Sequence, residues 1–216
     1  MIRDWFRGLK RGRIPKLLRE DFCGTFGVCC EWVKLGALNR AYGRDLDPEP
    51  LTWGRRHHLV RLTREQRSRV TIAREDVRTP GAPACDLIVA LNFSCLVLKT
   101  RAELEAYFVN AHAGLRRGGV LALDCFGGAR ASRRGESARA YPGFTYYWER
   151  LGRGRFAIHL KPKGGRKARA FTYDWRLWSL AELRASLRRA GFRAATVYPK
   201  DGSSEGLWSA VILAER

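Results

Sequence analysis

Leu17-Leu18-Arg19-Glu20-Asp21-Phe22-Cys23-Gly24-Thr25-Phe26-Gly27, followed about 20 residues later by Tyr42-Gly43-Arg44-Asp45-Leu46-Asp47-Pro48, decides the reading of this chain. An apolar lead-in, an acidic pair, a tight glycine turn and a carboxylate closing a second strand form the layout of a doubly wound nucleotide site. The ligand then lies against the carboxyl ends of the first two strands. Gly24 accepts φ > 0 and lets a ligand approach the backbone where a Cβ would collide. Asp45 is placed to accept from both hydroxyls of a ribose. The full G-x-G-x-x-G that seats a pyrophosphate on a helix N-terminus is missing, because Phe22 and Phe26 stand where small residues are expected.

A ligand with a ribose and no pyrophosphate is therefore expected, and S-adenosylmethionine meets that description. With these residues the chain resembles the class I S-adenosylmethionine-dependent methyltransferases, and more narrowly an uncharacterised subgroup whose first motif reads Glu-Asp-Phe-Cys-Gly-Thr. Cys23-Gly24-Thr25 matches the centre of the family's first motif, and Phe22 and Phe26 depart from its outer glycines. The resemblance implies S-adenosyl-L-methionine as cofactor, with Glu20 facing its methionine part and Asp76 meeting the adenine amino group. The cofactor-binding set it implies is Glu20, Phe22, Cys23, Gly24, Thr25, Asp45, Leu46, Asp76, Val77 and Asn92. It continues through Cys85 to Ser94 as the fourth strand and the loop bordering the methyl group. Leu115 to Asp124 then match a helix, double-glycine turn and fifth strand, and Ser179 to Phe192 a helix leading to a late strand.

Alternating strand and helix patterns argue for an α/β chain with a Rossmann-like doubly wound sheet, mostly parallel with an antiparallel late strand. Strands are expected at 16–22, 40–46, 69–74, 85–91 and 119–125. Helices are expected at 26–36, with Val28, Trp32 and Leu35 on one face, at 48–61 and at 100–114, where Leu104, Tyr107 and Phe108 recur at helical spacing. The pattern breaks over 126–178. Ala129 to Arg139 read as a flexible loop, and Phe156–Leu160 and Ala168–Tyr173 as an inserted β-hairpin around Lys163-Gly164-Gly165-Arg166. Ten aromatic residues between Tyr141 and Trp178 are read first as packing for that hairpin, with a few rings lining a pocket. In family members, insertions at this place often help to cover the substrate pocket.

At 216 residues and 45% hydrophobic content the chain suits one methyltransferase-like domain over 1–216. No apolar run approaches the roughly 20 residues that span a bilayer. Met1-Ile2-Arg3-Asp4-Trp5-Phe6-Arg7 lacks the apolar core of a signal peptide, so a cytoplasmic protein with no membrane partner is expected. Only Met1 to Pro15 precede the first strand, where similar methyltransferases have a helix or two closing over the cofactor. Six cysteines without a C-x-x-C pair read as reduced and mostly buried, and no metal site is expected. Cys23 alone lies at a helix N-terminus, where a thiol pKa can fall.

The net charge of +20 attracts polyanions. Its arginines, however, are scattered from Arg55-Arg56 to Arg188-Arg189 rather than gathered in one patch, so nucleic acid is a possible partner and not the favoured one. Methyl transfer needs a nucleophile held in line with the methyl group and water excluded. Asn92 is the catalytic candidate, because in amino-directed relatives an Asn or Asp of that loop accepts from the target nitrogen. Here Asn92-Phe93-Ser94 lacks the two prolines of that motif, so nitrogen specificity does not follow. His57, His58, His112 and His159 are weaker candidates. A small-molecule methyltransferase comes first, with an RNA methyltransferase and a non-catalytic S-adenosylmethionine-binding protein as alternatives.

Overall fold

The computed structural model describes residues 14–200 and 206–216, so the expectations for Met1 to Arg13 lie outside the described residues. Strands β1 (Leu17–Asp21), β2 (Arg40–Asp45), β3 (Val70–Arg74), β4 (Cys85–Ala90) and β5 (Leu115–Gly127) pair in parallel. After an excursion described below, β10 (Ala194–Pro199) and β11 (Trp208–Glu215) complete a seven-stranded sheet in the order β10-β11-β5-β4-β1-β2-β3. β11 runs antiparallel to both of its neighbours, as expected for the late strand.

Helices cover both faces, which is why β4 is buried at every position and reads as the apolar run Leu87–Ala90 after Asp86. Ile88 and Ala90 meet Leu104, Tyr107 and Phe108 of α4 (Arg101–Gly114) and Leu183 and Leu187 of α5 (Leu180–Arg189) in one core. Leu87 and Val89 face the other core, with Trp32 and Val33 of α1 (Gly27–Lys34) and Leu51 of α2 (Pro48–His57). A four-residue helix, α3 (Arg64–Arg67), precedes β3. The helix starts are written in the sequence: Asp47 caps α2 ahead of Pro48, and Thr100 with Glu103 and Ser179 with Glu182 form capping boxes on α4 and α5.

Five expectations are corrected. α1 buries Cys29, Cys30, Trp32 and Val33, and Leu35 is 54% exposed, because the free cysteines act as the small hydrophobes of its inner face. α2 ends at His57, and the stretch to Arg61 continues as a 3₁₀ turn. β5 starts at Leu115 and takes in the double glycine, with an irregular register against β4 between Cys85 and Leu87. The inserted hairpin is half of a four-stranded antiparallel meander, β6 (Gly135–Tyr141), β7 (Phe144–Gly152), β8 (Arg155–Pro162) and β9 (Ala168–Asp174). The end of the stretch read as a loop is β6, whose residues from Glu136 onward are all exposed and so carry no period-2 signal.

The meander is anchored to the main sheet through rings at its base. Trp148, Phe156 and Trp175 surround Phe126, with centroids 5.7, 5.4 and 5.8 Å from it. Packing is thus what the rings at the base do, as first read, whereas Tyr141, Phe144 and Phe171 further out are exposed.

Candidate active site

The turn after β1 is left-handed at three places, Phe22 (φ 56°), Gly24 (φ 50°) and Phe26 (φ 48°). Tertiary contacts hold the two phenylalanines there against the steric cost. Phe22 packs edge-on against Tyr107, and Phe26, fully buried, ends the turn as the residue before α1. Gly54 in the middle of α2 is the counterpart: a Cβ there would collide with the Thr25 carbonyl oxygen and the Phe26 ring. The departures from the glycine pattern are therefore paired with a helix glycine 28 positions after Phe26.

This turn opens a cleft of about 560 Å³ at the carboxyl ends of β1, β2 and β3. Of the residues expected around the cofactor, Phe22, Gly24, Asp45, Leu46, Asp76 and Val77 line it. Asp45 accepts the Gly24 N–H through Oδ2 at 2.7 Å and the Asp47 N–H through Oδ1 at 3.0 Å, which fixes its carboxylate on the cleft floor with lone pairs to spare. A Cβ built on Gly24 meets nothing within 4 Å, so the space above it is open. The lining holds five carboxylates, Asp45, Asp47, Glu75, Asp76 and Glu103, against one guanidinium, Arg78. Arg78 clasps Asp76 (Nη2 to Oδ2 2.6 Å, Nε to Oδ1 3.0 Å) and reaches Glu103, holding the Asp76 carboxyl below the usual carboxylate range.

Behind this wall lies a polar network in the core. Arg44, with no exposed surface, donates from Nε to Asp21 (2.7 Å), from Nη2 to the Val77 carbonyl (2.6 Å) and from Nη1 to the Thr79 carbonyl (3.0 Å). Asn110 of α4 donates to the same two carbonyls at 2.6 and 3.1 Å. Arg19, equally buried, pairs with Asp21 at 3.0 Å. The loop carrying Asp76 and Val77 is thus gripped from the interior. Sequence reasoning assigned Arg44 nothing, although a charged residue between Gly43 and Asp45 in an inner strand is itself a signal that a buried partner exists.

Glu20 and Thr25 are turned away from the cleft. Glu20, 8% exposed, accepts the Cys29 N–H at 2.8 Å in the first turn of α1, and burial pushes its carboxyl up to about 7. Thr25 packs against α2 through its carbonyl. Cys23 is buried, and desolvation with Glu20 and Asp45 nearby drives its thiol pKa up rather than down. Burial thus overrides the helix N-terminus there. All six cysteines are free and buried.

Asn92 follows β4 in the left-handed region (φ 60°), as does Phe93 (φ 61°); Asn92, expected as catalytic and cofactor-binding residue, is exposed and is not among the residues that line the cleft. Two such non-glycine residues in succession need outside support. Asp124 provides it, accepting the Phe93 N–H through Oδ1 at 2.7 Å while Lys200 Nζ holds Oδ2 at 3.1 Å. The loop divides two spaces: Ser94 lines the large cleft, and Phe93 lines a neighbouring cavity of about 160 Å³ with Phe126, Trp148 and Trp208. Tyr173 of β9 also reaches the large cleft, a contact across 128 positions from Asp45 that no local pattern reveals.

Among the described residues no histidine lines the cleft. His159 faces the opposite side of the meander from Tyr173 and meets Glu149 at 2.7 Å, His57 stacks on Trp53, and His112 packs against Phe192. Glu136, Glu149 and His159 bring ligand atoms within 4.8 Å of one another on that far side, where Lys167 already pairs with Glu136. No helix among the described residues is long and apolar enough to cross a membrane.

No protein-family model matches the chain, and neither does any curated protein. Solved structures do. CalS10, an amino pentose methyltransferase from Micromonospora echinaspora, shares 20% identity at a TM-score of 0.71, over 100% of this chain and 88% of that one. An S-adenosylmethionine-dependent methyltransferase from Clostridium acetobutylicum shares 13% at 0.70, over 97% and 87%. The sugar N-methyltransferase KedS8 from Streptoalloteichus shares 20% at 0.67, over 100% and 85%. At these identities the likeness is one of architecture, and the architecture of this chain is the class I S-adenosylmethionine-dependent methyltransferase fold.

Proposed function

We propose that this chain is an S-adenosylmethionine-dependent methyltransferase that acts on a small molecule. The observation that carries the reading is the acid-lined cleft beside Gly24 in a chain of net charge +20. A cationic ligand with a ribose suits it: the carboxylates favour the positive charge, Asp45 has lone pairs for ribose hydroxyls, and the open space above Gly24 admits the ligand's approach. Asp76 and Val77, held by Arg78, Arg44 and Asn110, form the adenine end of that site.

S-adenosylmethionine supplies an electrophilic methyl group on sulfur. The chain's part is to hold the acceptor's lone pair in line with that carbon and to keep water out. The 92–94 loop reaches the cleft through Ser94, and in this reading acceptor and methyl group meet beside it. Asn92, exposed two positions before Ser94, is the catalytic residue of this reading: its side-chain carbonyl accepts from the acceptor's N–H or O–H and aims the acceptor's lone pair. The solved neighbours described as amino pentose and sugar N-methyltransferases support a small-molecule acceptor.

Calorimetry of the full chain should show S-adenosylmethionine and S-adenosylhomocysteine binding and no response to NAD. Tritiated methyl transfer into cell-extract fractions should then label the small-molecule pool rather than RNA or protein. NAD binding without either sulfur ligand would overturn the reading, and label in RNA would replace the acceptor class.

A further inference from the structure

A sheet that leaves the body of a protein exposes two faces, and strand alternation decides what each carries. In the meander one register places Tyr141 opposite Phe144, Arg139 opposite Tyr146, and Tyr146 opposite Leu160. Along β7 the same register continues to Trp148, and on β9 it takes in Phe171 and Tyr173. Trp148 and Tyr173 pack into the ring cluster at the base, and Tyr173 lines the large cleft. Further out the rings have no core to cover: Tyr141 is 41% exposed, Phe144 38% and Phe171 57%. They are nevertheless arranged, with Tyr141 stacked on Phe144 at 5.1 Å and Phe171 on Tyr173 at 6.5 Å. Tyr173 ties these rings to the cleft, and Ile158 and Leu160 of β8 lie between the β9 and β7 rings. From Trp148 to Phe144 the β7 rings run four residues of strand, about 14 Å.

Charge is sorted between the two faces as well. The carboxylates of β6, β7 and β9, Glu136, Glu149 and Asp174, all belong to the other register, where Glu136 pairs with Lys167, Glu149 with His159 and Asp174 with Lys99. The ring face carries Arg139, its guanidinium 5.3 Å from the centre of Tyr141. Rings with a cation and no carboxylate favour a flat partner that is anionic, the reverse of what the acid-lined cleft favours.

Resting on the methyltransferase reading, we propose that this face is the bed of the methyl acceptor, and that the acceptor is an elongated small molecule with a flat ring system and an anionic far end. Its reacting group passes Tyr173 to the 92–94 loop, its rings lie over Phe171 and Tyr146, and its anion ends near Arg139. Length is part of the recognition. An acceptor confined to the methyl site would leave the outer rings without a partner.

The test uses 1-anilinonaphthalene-8-sulfonate, flat and anionic, and acridine orange, flat and cationic, titrated by fluorescence against the full chain. The sulfonate should bind at least tenfold tighter than the cation. Phe171→Ser and Tyr146→Ser should each weaken it about tenfold, and Arg139→Glu, a surface change that spares the fold, should reverse the preference. S-adenosylhomocysteine affinity, followed by calorimetry, should stay within twofold in all three variants. Sulfonate binding unchanged in the variants would overturn the proposal, and so would a preference for the cation. A dimer that dissociates in Phe171→Ser, seen by sedimentation, would overturn it in favour of an interface between copies. Wild-type chain that binds the sulfonate through these residues but no S-adenosylhomocysteine would instead sink the methyltransferase reading.

Discussion

The cleft and the ring face adjoin at Tyr173, yet they are built on opposite principles. The cleft gathers five carboxylates around backbone amides and is braced by a buried ionic network; the ring face is aromatic, carries Arg139, and is braced only at its base. A chain with an excess of 20 positive charges therefore presents a negative pocket beside an acid-free surface. Net charge describes long-range attraction, whereas recognition depends on how a fold sorts its charges at close range. The first region is built to bind one cation with fixed geometry, and the second to accept flat bodies of varied outline.

The sharpest way to break that contrast is to remove the brace. Asp21→Ala leaves Arg19 and Arg44 buried without their shared carboxylate, which costs about 3–5 kcal/mol. Urea unfolding should show a loss of that size, whereas Phe171→Ser on the ring face should cost under about 1 kcal/mol, as expected of a largely exposed side chain. Equal losses in the two variants would mean that the regions are not braced differently.

Glu20 sharpens it through pH. Its carboxyl is raised from 4.5 to about 7 in the folded chain, so the folded state holds the proton more tightly than the unfolded state. That advantage is complete below 4.5 and is lost as pH rises through about 7. Wild-type stability should therefore fall relative to Glu20→Gln between pH 4.5 and 7, by up to about 3 kcal/mol, in paired urea titrations. A constant gap would show that Glu20 is not desolvated.

Asp45→Ala tests the cleft through binding instead of stability. Loss of charge-assisted hydrogen bonds worth about 1.5–3 kcal/mol each should lower S-adenosylhomocysteine affinity at least tenfold in a chain that still folds. Sulfonate binding on the ring face should not change. Unaltered cofactor affinity would remove Asp45 from the ribose site.

Much of the main sheet could be read from the chain because its signals are local. The apolar run Leu87–Ala90 of β4, the Gly24 turn and the carboxylate at the end of β2 each announce themselves within a few residues, whereas the bond from the Gly24 N–H to Asp45 shows only in the fold. The remainder depends on contacts distant in sequence. Glu20 looked like a ligand contact until α1 folded back and offered it the Cys29 N–H. Arg44 acquires its role from the carbonyls of Val77 and Thr79, and Tyr173 from a strand that had to pair before it could reach the cleft. β6 had no signature because neither of its faces is buried.

The grip of Arg44 and Asn110 on the Val77 and Thr79 carbonyls also bears on traffic. That rim cannot swing outward without exposing a core guanidinium and breaking four hydrogen bonds together. Leu46 and Val97, which also line the cleft, stand 57% and 44% exposed, and moving their side chains breaks no ionic contact. If the chain is the proposed methyltransferase, spent cofactor should therefore be exchanged for fresh past these apolar side chains. Its rate should be set by side-chain motions there rather than by opening of the adenine loop.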